Sequence, residues 1–216
     1  MTKAIIFDYD GVLNFAPLMF SERVIPRKPE LNLTWEEDLK SFFKNVFDDC
    51  KLGDKDLKEE LSQIPEGREK SYFELWGFNN VDELLKFWFE GEQFVYNEMM
   101  VLIESLRDKK VLTFIATNNE KYLVETIENN IGKHFDIIFS SAELHCMKPE
   151  SKFYEKILFV LQENMDVYSG DVFYIDDELE NTESAEKLGM KVFHMQNKED
   201  LGSLKEQLDT FVGGNE

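Results

Sequence analysis

Asp8 and Asp10 stand one residue apart, directly after the apolar run Ala4-Ile5-Ile6-Phe7. On an extended chain such side chains share a face. Two neighbouring carboxylates raise each other's pKa unless a cation neutralises them. Mg²⁺ answers that need: it is hard and oxygen-seeking, and it keeps positions for water or a phosphate oxygen. Next to such an ion Asp8 is placed to attack phosphorus as a carboxylate nucleophile. Asp10 is placed to protonate the leaving oxygen and then to activate the water that clears the intermediate. Gly11 allows the tight turn by which the chain leaves the strand.

Three further groups follow in order. Thr117-Asn118 ends the apolar run Val111-Leu112-Thr113-Phe114-Ile115-Ala116. Two readings are open: Thr117, Asn118 and Asn119 cap a helix beginning at Glu120, or the Thr117 hydroxyl and nearby backbone N–H groups face a phosphate. Lys148 precedes Pro149, which is read as the first turn of a helix. An isolated lysine belongs to the surface, but a site holding several aspartates and a phosphate needs this second cation. Asp176-Asp177 follows Val172-Phe173-Tyr174-Ile175. One acid there can cap a helix. Alternatively, one ligates the metal while the other holds metal-bound water or Lys148. Asn181, a helical turn on, can orient both. His134, His145 and His194 show no ligand spacing and receive no catalytic role.

These groups converge only if their elements bring strand ends to one edge, as an open parallel sheet does. Residues 4–7 read as a buried parallel strand. Residues 15–95 show helical periodicity without a convincing strand. There Thr34 and Glu37 form a capping box, a second short helix spans Asp54 to Leu61, and a fourth segment starts near Asn80. The aromatic residues of this stretch form its own core, with a few near the mouth of the site. From about residue 96, helices and strands alternate, which predicts a doubly wound, Rossmann-like α/β sheet. Gly170 and Gly189 are read as C-terminal caps, and the tail from Gly213 as frayed. The expected organisation is an α/β core of residues 1–14 and 96–216, with a helical cap of residues 15–95 overhanging the site as a lid.

The 216 residues suffice for one core with a sizeable insertion. A net charge of -20 opposes binding to nucleic acid and to anionic membranes. It also opposes a phosphorylated substrate, so any phosphate site needs local positive charge. Cys50 and Cys146 are far apart in sequence and match no metal-like spacing, which favours a reduced, cytoplasmic chain. A strand begins almost at once, which argues against a secretory signal, and no apolar run is long enough to span a bilayer.

The four motifs, in this order and spacing, resemble the haloacid dehalogenase-like (HAD) superfamily. The position of the insert resembles the C1 helical cap of subfamily I. Thr117-Asn118-Asn119, Met147-Lys148-Pro149-Glu150 and Ile175-Asp176-Asp177 with Asn181 and Ala185 are similar to the branch of sugar phosphatases and the N-terminal phosphatase domain of soluble epoxide hydrolases. The resemblance implies Asp8 as nucleophile and Asp10 as acid/base, the latter binding Mg²⁺ through its backbone carbonyl. It implies Asp8, Asp10 and Asp177 as the metal set, Thr117, Asn118 and Lys148 at the phosphate, and Asp176 and Asn181 behind them. Haloacid dehalogenases need no metal and lack an acid two residues after the nucleophile. Asp10 therefore argues for phosphoryl transfer.

The expected function is a Mg²⁺-dependent phosphatase acting on a small phosphorylated metabolite, a sugar phosphate among the candidates. A phosphomutase of the β-phosphoglucomutase type and a non-catalytic binding protein on the same fold are the alternatives. The cap cations that could hold a sugar or a second phosphate include Arg23, Arg27, Lys28 and Arg68. No spacing selects among them, and oligomeric state is not legible.

Overall fold

β1 (Ala4–Phe7) has all four side chains buried, as a strand covered on both faces requires. In the computed structural model, which describes residues 2–24 and 35–214, it is the middle strand of a five-stranded sheet. β2 (Leu112–Thr117) and β3 (Ile137–Ser140) extend the sheet on one side, β4 (Val172–Asp176) and β5 (Lys191–His194) on the other. Every pairing is parallel, and the order is β3-β2-β1-β4-β5. The chain thus builds outward from β1 in one direction and then in the other. The gap between β1 and β4 is a topological switch point, where open α/β sheets leave a crevice beyond the strand ends. Phe7 is level with both Ile115 and Ile175. One residue further on, Asp8 lies beside Asp176.

Helices α7 (Asn97–Asp108), α8 (Lys121–Ile131), α10 (Ser151–Met165), α11 (Leu179–Lys187) and α12 (Leu201–Gly213) flank the sheet, with the single turn α9 (Ser141–Leu144) after β3. Alternate β1 side chains serve two cores. Ile5 and Phe7 join one that extends into the helical insertion, while Ala4 and Ile6 join another with Phe153, Tyr154 and Ile157 of α10. The doubly wound α/β expectation holds.

A helical cap lies beside this sheet, made of α1 (Phe20–Val24), α2 (Trp35–Asn45), α3 (Phe47–Lys51), α4 (Leu57–Ser62), α5 (Tyr72–Leu75) and α6 (Val81–Glu90). Its centre is aromatic: Phe20 stacks on Trp88 with centroids 4.4 Å apart, and Phe42 meets Trp76 edge-on at 5.4 Å. The chain leaves and re-enters the core through two adjacent segments. Phe15 N–H donates to the Phe94 carbonyl at 3.0 Å, and Tyr96 N–H to the Leu13 carbonyl at 2.8 Å.

Some local expectations are corrected. α10 begins at Ser151 rather than at Pro149, because the chain stays extended through its N-cap Glu150 (φ -60°, ψ 130°). α10 ends at Asp166 in the left-handed region (φ 54°), which aspartate tolerates, so Gly170 is no cap; Gly189 (φ 91°) does follow α11. α4 starts at Leu57 because Asp56 takes the N–H groups of Lys58 and Glu59. Thr34 of the expected capping box, like Arg27 and Lys28, lies outside the described residues. No described helix is long and apolar enough to cross a membrane.

Candidate active site at the switch point

Each strand end delivers one part of the site. Asp8 follows β1, and its N–H donates to the Ile175 carbonyl at 2.8 Å. Asp176 is the last residue of β4 and Thr117 the last of β2. Lys148 arrives on the loop before α10 and is 6% exposed. Its Nζ lies 2.8 Å from Asp8 Oδ1 and 2.8 Å from Asp176 Oδ2. Burial works against this ammonium, yet the two carboxylates hold its pKa above the ordinary lysine value. Lys148 is therefore a buried lysine with two acids attached, and they favour its charged form.

The acids divide by environment. Asp176 is fully buried and its oxygens are fully engaged. Oδ2 accepts from Lys148 and from the Tyr174 hydroxyl; Oδ1 accepts from Glu178 N–H at 2.9 Å and Asn181 Nδ2 at 2.9 Å. Burial opposes its ionisation, but Lys148 and these hydrogen bonds keep its pKa below the usual value. Asp8 is buried too, and burial together with the Asp176 charge raises its pKa despite Lys148. Asp177 is pushed up to about 6, first by burial and then by the charges of Asp176 and Glu178.

Carboxylate oxygens of Asp8, Asp176 and Asp177 all lie within 4.8 Å of one another. Such a group is electrostatically costly without a cation. Its donors are hard oxygens, so the residues fit Mg²⁺. Asp176 already has four hydrogen-bond donors, which leaves Asp8 and Asp177 as the side chains with oxygen to give. The expectation that Asp8 and Asp10 carboxylates share a face is corrected here. The Asp10 carboxylate stands outside the cluster, accepting from Asn14 Nδ2 at 3.1 Å and Asn119 Nδ2 at 2.9 Å. The chain turns at Asp10 instead of continuing as strand, with Gly11 N–H donating to the Asn14 carbonyl at 2.9 Å.

Gly11 (φ 74°) serves the site twice. It adopts a backbone conformation that side chains disfavour, and a Cβ there would lie 2.2 Å from Asp177 Oδ2. Gly11→Ala is expected to displace Asp177 and weaken Mg²⁺ binding by roughly tenfold or more. Calorimetric titration with Mg²⁺ checks this, and unchanged affinity would remove Asp177 from the metal site.

The capping alternative for Thr117, Asn118 and Asn119 is excluded. Glu120 itself caps α8, its carboxylate taking the N–H groups of Tyr122 and Leu123. Thr117 Oγ1 instead accepts from Asn119 Nδ2 at 2.7 Å, so Asn119 ties Thr117 to Asp10. Asn118 clamps the Lys148 backbone on both sides: Nδ2 donates to the Lys148 carbonyl and Oδ1 accepts from the Lys148 N–H, each at 2.9 Å. Its side chain thereby positions the lysine.

Sequence reasoning gave Asn14 and Tyr174 no role, and named Asn119 only as a helix cap and as part of the Thr117-Asn118-Asn119 motif. The repeated amide after Thr117 is the one signal that could have pointed to Asn119. His194 Nε2 lies 2.8 Å from the Asp177 carbonyl and braces the loop that carries the acid. Of the cap cations, Arg23 donates to the Phe87 and Trp88 carbonyls at 2.8 and 2.6 Å, and Arg68 pairs with Asp38 at 2.9 Å. Both are engaged in holding the cap together.

A family model described as haloacid dehalogenase-like hydrolase matches residues 34–195. A HAD family enzyme of Bacteroides thetaiotaomicron is 17% identical with a TM-score of 0.72, over 94% of this chain and 98% of that one. An aspartate-to-alanine variant of that enzyme, complexed with magnesium and inorganic phosphate, aligns at 18% identity and TM-score 0.72, over 94% and 99% of the two chains. A Porphyromonas gingivalis protein described as a predicted HAD-like family hydrolase is 21% identical, with TM-score 0.71 over 96% and 98%. At these identities the likeness is one of fold. No curated protein matches the chain in sequence.

Proposed function

The chain belongs to the haloacid dehalogenase-like hydrolase family, and from that premise we propose that it is a Mg²⁺-dependent phosphatase of a small phosphorylated metabolite. The observation that carries this reading is the Lys148 ammonium, 2.8 Å from Asp8 and from Asp176, beside the Asp177 carboxylate. A buried cation next to a metal-type acid cluster is what a transferring phosphoryl group needs.

In this reading Asp8 and Asp177, with the backbone carbonyl of Asp10, hold Mg²⁺, which would offset charge on the phosphate and on Asp8. The Asp8 carboxylate attacks phosphorus, the ester P–O bond breaks, and Asp10 gives its proton to the departing alkoxide. Asp10 then takes a proton from water as that water attacks the aspartyl phosphate, which returns Asp8 and releases phosphate. Asn14 and Asn119 aim Asp10, while Thr117 and Lys148 receive phosphate oxygens. Asp176 holds Lys148, and Asn181 holds Asp176. The remaining assignments are also ours: core residues 1–14 and 96–216, a C1-type cap of residues 15–95, kinship to the sugar-phosphatase and epoxide hydrolase branch, and a cytoplasmic setting.

A cavity of about 520 Å³ lies between cap and core, reaching from Asp10 and Asn119 to Phe47 and Trp88. Its lining contains three acids, Asp10, Glu92 and Glu120, and no cation among the described residues. A mutase must hold a second phosphoryl group on this side, so the charge favours hydrolysis. The test is phosphate release from p-nitrophenyl phosphate. Turnover is expected with Mg²⁺, loss of at least about 99% with excess chelator, and recovery on adding Mg²⁺. Turnover indifferent to chelation would refute the metal role, and inactivity across a panel of phosphomonoesters would favour a binding protein.

A further inference from the structure

The same cavity describes the alcohol that leaves. Its wall is formed largely by rings: Phe15, Phe20, Phe43, Phe47, Trp88 and Phe89. Most of its polar side chains are occupied. Asn14 accepts from Phe94 N–H at 2.8 Å and donates to Asp10, while Asn119 spends its amide nitrogen on Asp10 and Thr117. Glu120 spends its carboxylate on the first turn of α8.

Glu92 differs. Its Oε1 accepts from Trp88 Nε1 at 2.8 Å, and Oε2 takes no hydrogen bond from the described residues. Arg23 comes no closer than 4.0 Å, with both terminal nitrogens donating to carbonyls at the end of α6. The bare α-carbon of Gly91 makes room for that guanidinium, since a Cβ would lie 1.5 Å from Arg23 Nη1. The cavity therefore presents aromatic faces and one unspent carboxylate oxygen.

Resting on the phosphatase reading above, we infer that the cavity selects a phosphate monoester whose alcohol is a ring-bearing amine. The flat ring packs against the aromatic wall, and the protonated amine faces Glu92 Oε2 at the edge of that wall. An ammonium gains from both kinds of neighbour. A hexose brings several hydroxyls that would exchange water for an apolar wall, and the charged side chains among the described lining residues, Asp10, Glu92 and Glu120, would repel a second phosphate. The overall reaction is ordinary hydrolysis: ester and water give the amino alcohol and inorganic phosphate.

The test compares the phosphate ester of tyramine with phenyl phosphate, a hexose monophosphate and a hexose bisphosphate. The tyramine ester is expected to lead phenyl phosphate by about tenfold or more in kcat/KM, with both hexose esters lower still. In Glu92→Gln the Trp88 hydrogen bond keeps its acceptor, and the ratio of tyramine ester to phenyl ester falls to about one. Phe47→Ala lowers both ring esters relative to the hexose monophosphate and probes the wall should Glu92→Gln fail to fold. Tyramine alone, titrated calorimetrically into metal-free protein, is expected to bind and to lose its affinity in Glu92→Gln. Hydrolysis of phenyl phosphate without preference for the amine, or with preference for a hexose ester, overturns this inference and leaves the phosphatase reading intact. Glu92-dependent tyramine binding without hydrolysis of any ester supports the ring-and-amine site while overturning the phosphatase reading.

Discussion

Asp8→Asn loses turnover of p-nitrophenyl phosphate by roughly 10⁴-fold or more, because an amide oxygen cannot replace the carboxylate in forming the acyl phosphate. The fold is expected to survive. Lys148 keeps Asp176 as a partner at 2.8 Å, and asparagine fills the same volume at a position already packed on all sides. The measurement is kcat/KM beside a thermal melt. Rapid quenching and mass spectrometry add a second readout: the wild-type protein carries one phosphate on the peptide holding Asp8, and the variant carries none. A folded Asp8→Asn protein with residual turnover within tenfold of wild type would eliminate covalent catalysis by Asp8, whatever else the pocket does.

Lys148→Met produces the second large effect, and on two quantities at once. Removing the ammonium leaves Asp8 and Asp176 buried as neighbours with no cation between them. Breaking a buried ion pair from one side costs about 3–5 kcal/mol. In a chain of this size that lowers the melting temperature by about 6–20 °C in Mg²⁺-free buffer. Activity falls by roughly 10²–10³-fold, the range for losing one preorganised charge at a transition state. Adding Asp176→Asn to Lys148→Met removes one of the stranded carboxylates, so it is expected to restore part of the stability and none of the activity. This double variant separates the two roles. If it recovered both, Lys148 would serve stability alone.

Chemistry was legible in the sequence wherever it is written in one short segment. Asp8, Asp10 and Gly11 after a buried apolar run, and Asp176-Asp177 after another, mark strand ends because a parallel strand needs apolar side chains on both faces and stops where they stop. The alternation of strands and helices fixed the doubly wound sheet, and with it the edge where these ends meet. The aromatic periodicity after β1 pointed to a helical insertion, but not to its core being continuous with that of the sheet, where Ile5 and Phe7 share one cluster with Phe20, Phe42 and Trp88. The expectation of phosphoryl transfer rather than dehalogenation rested on the family resemblance together with Asp10 and the later acids.

What only the tertiary structure decided is which partner each polar group takes. Asn118 and Asn119 are neighbours in sequence, yet one clamps the Lys148 backbone and the other bridges Thr117 and Asp10. Arg23 looked available for a substrate phosphate, but it is consumed by the carbonyls ending α6, while Glu92, unremarkable in an acidic sequence, faces the cavity. Apolar periodicity is a property of neighbouring residues and can be read along the chain. A hydrogen bond is a short-range, directional contact between residues that can lie far apart along the chain, 109 positions for Asp10 and Asn119, and it exists only once the sheet has brought them together.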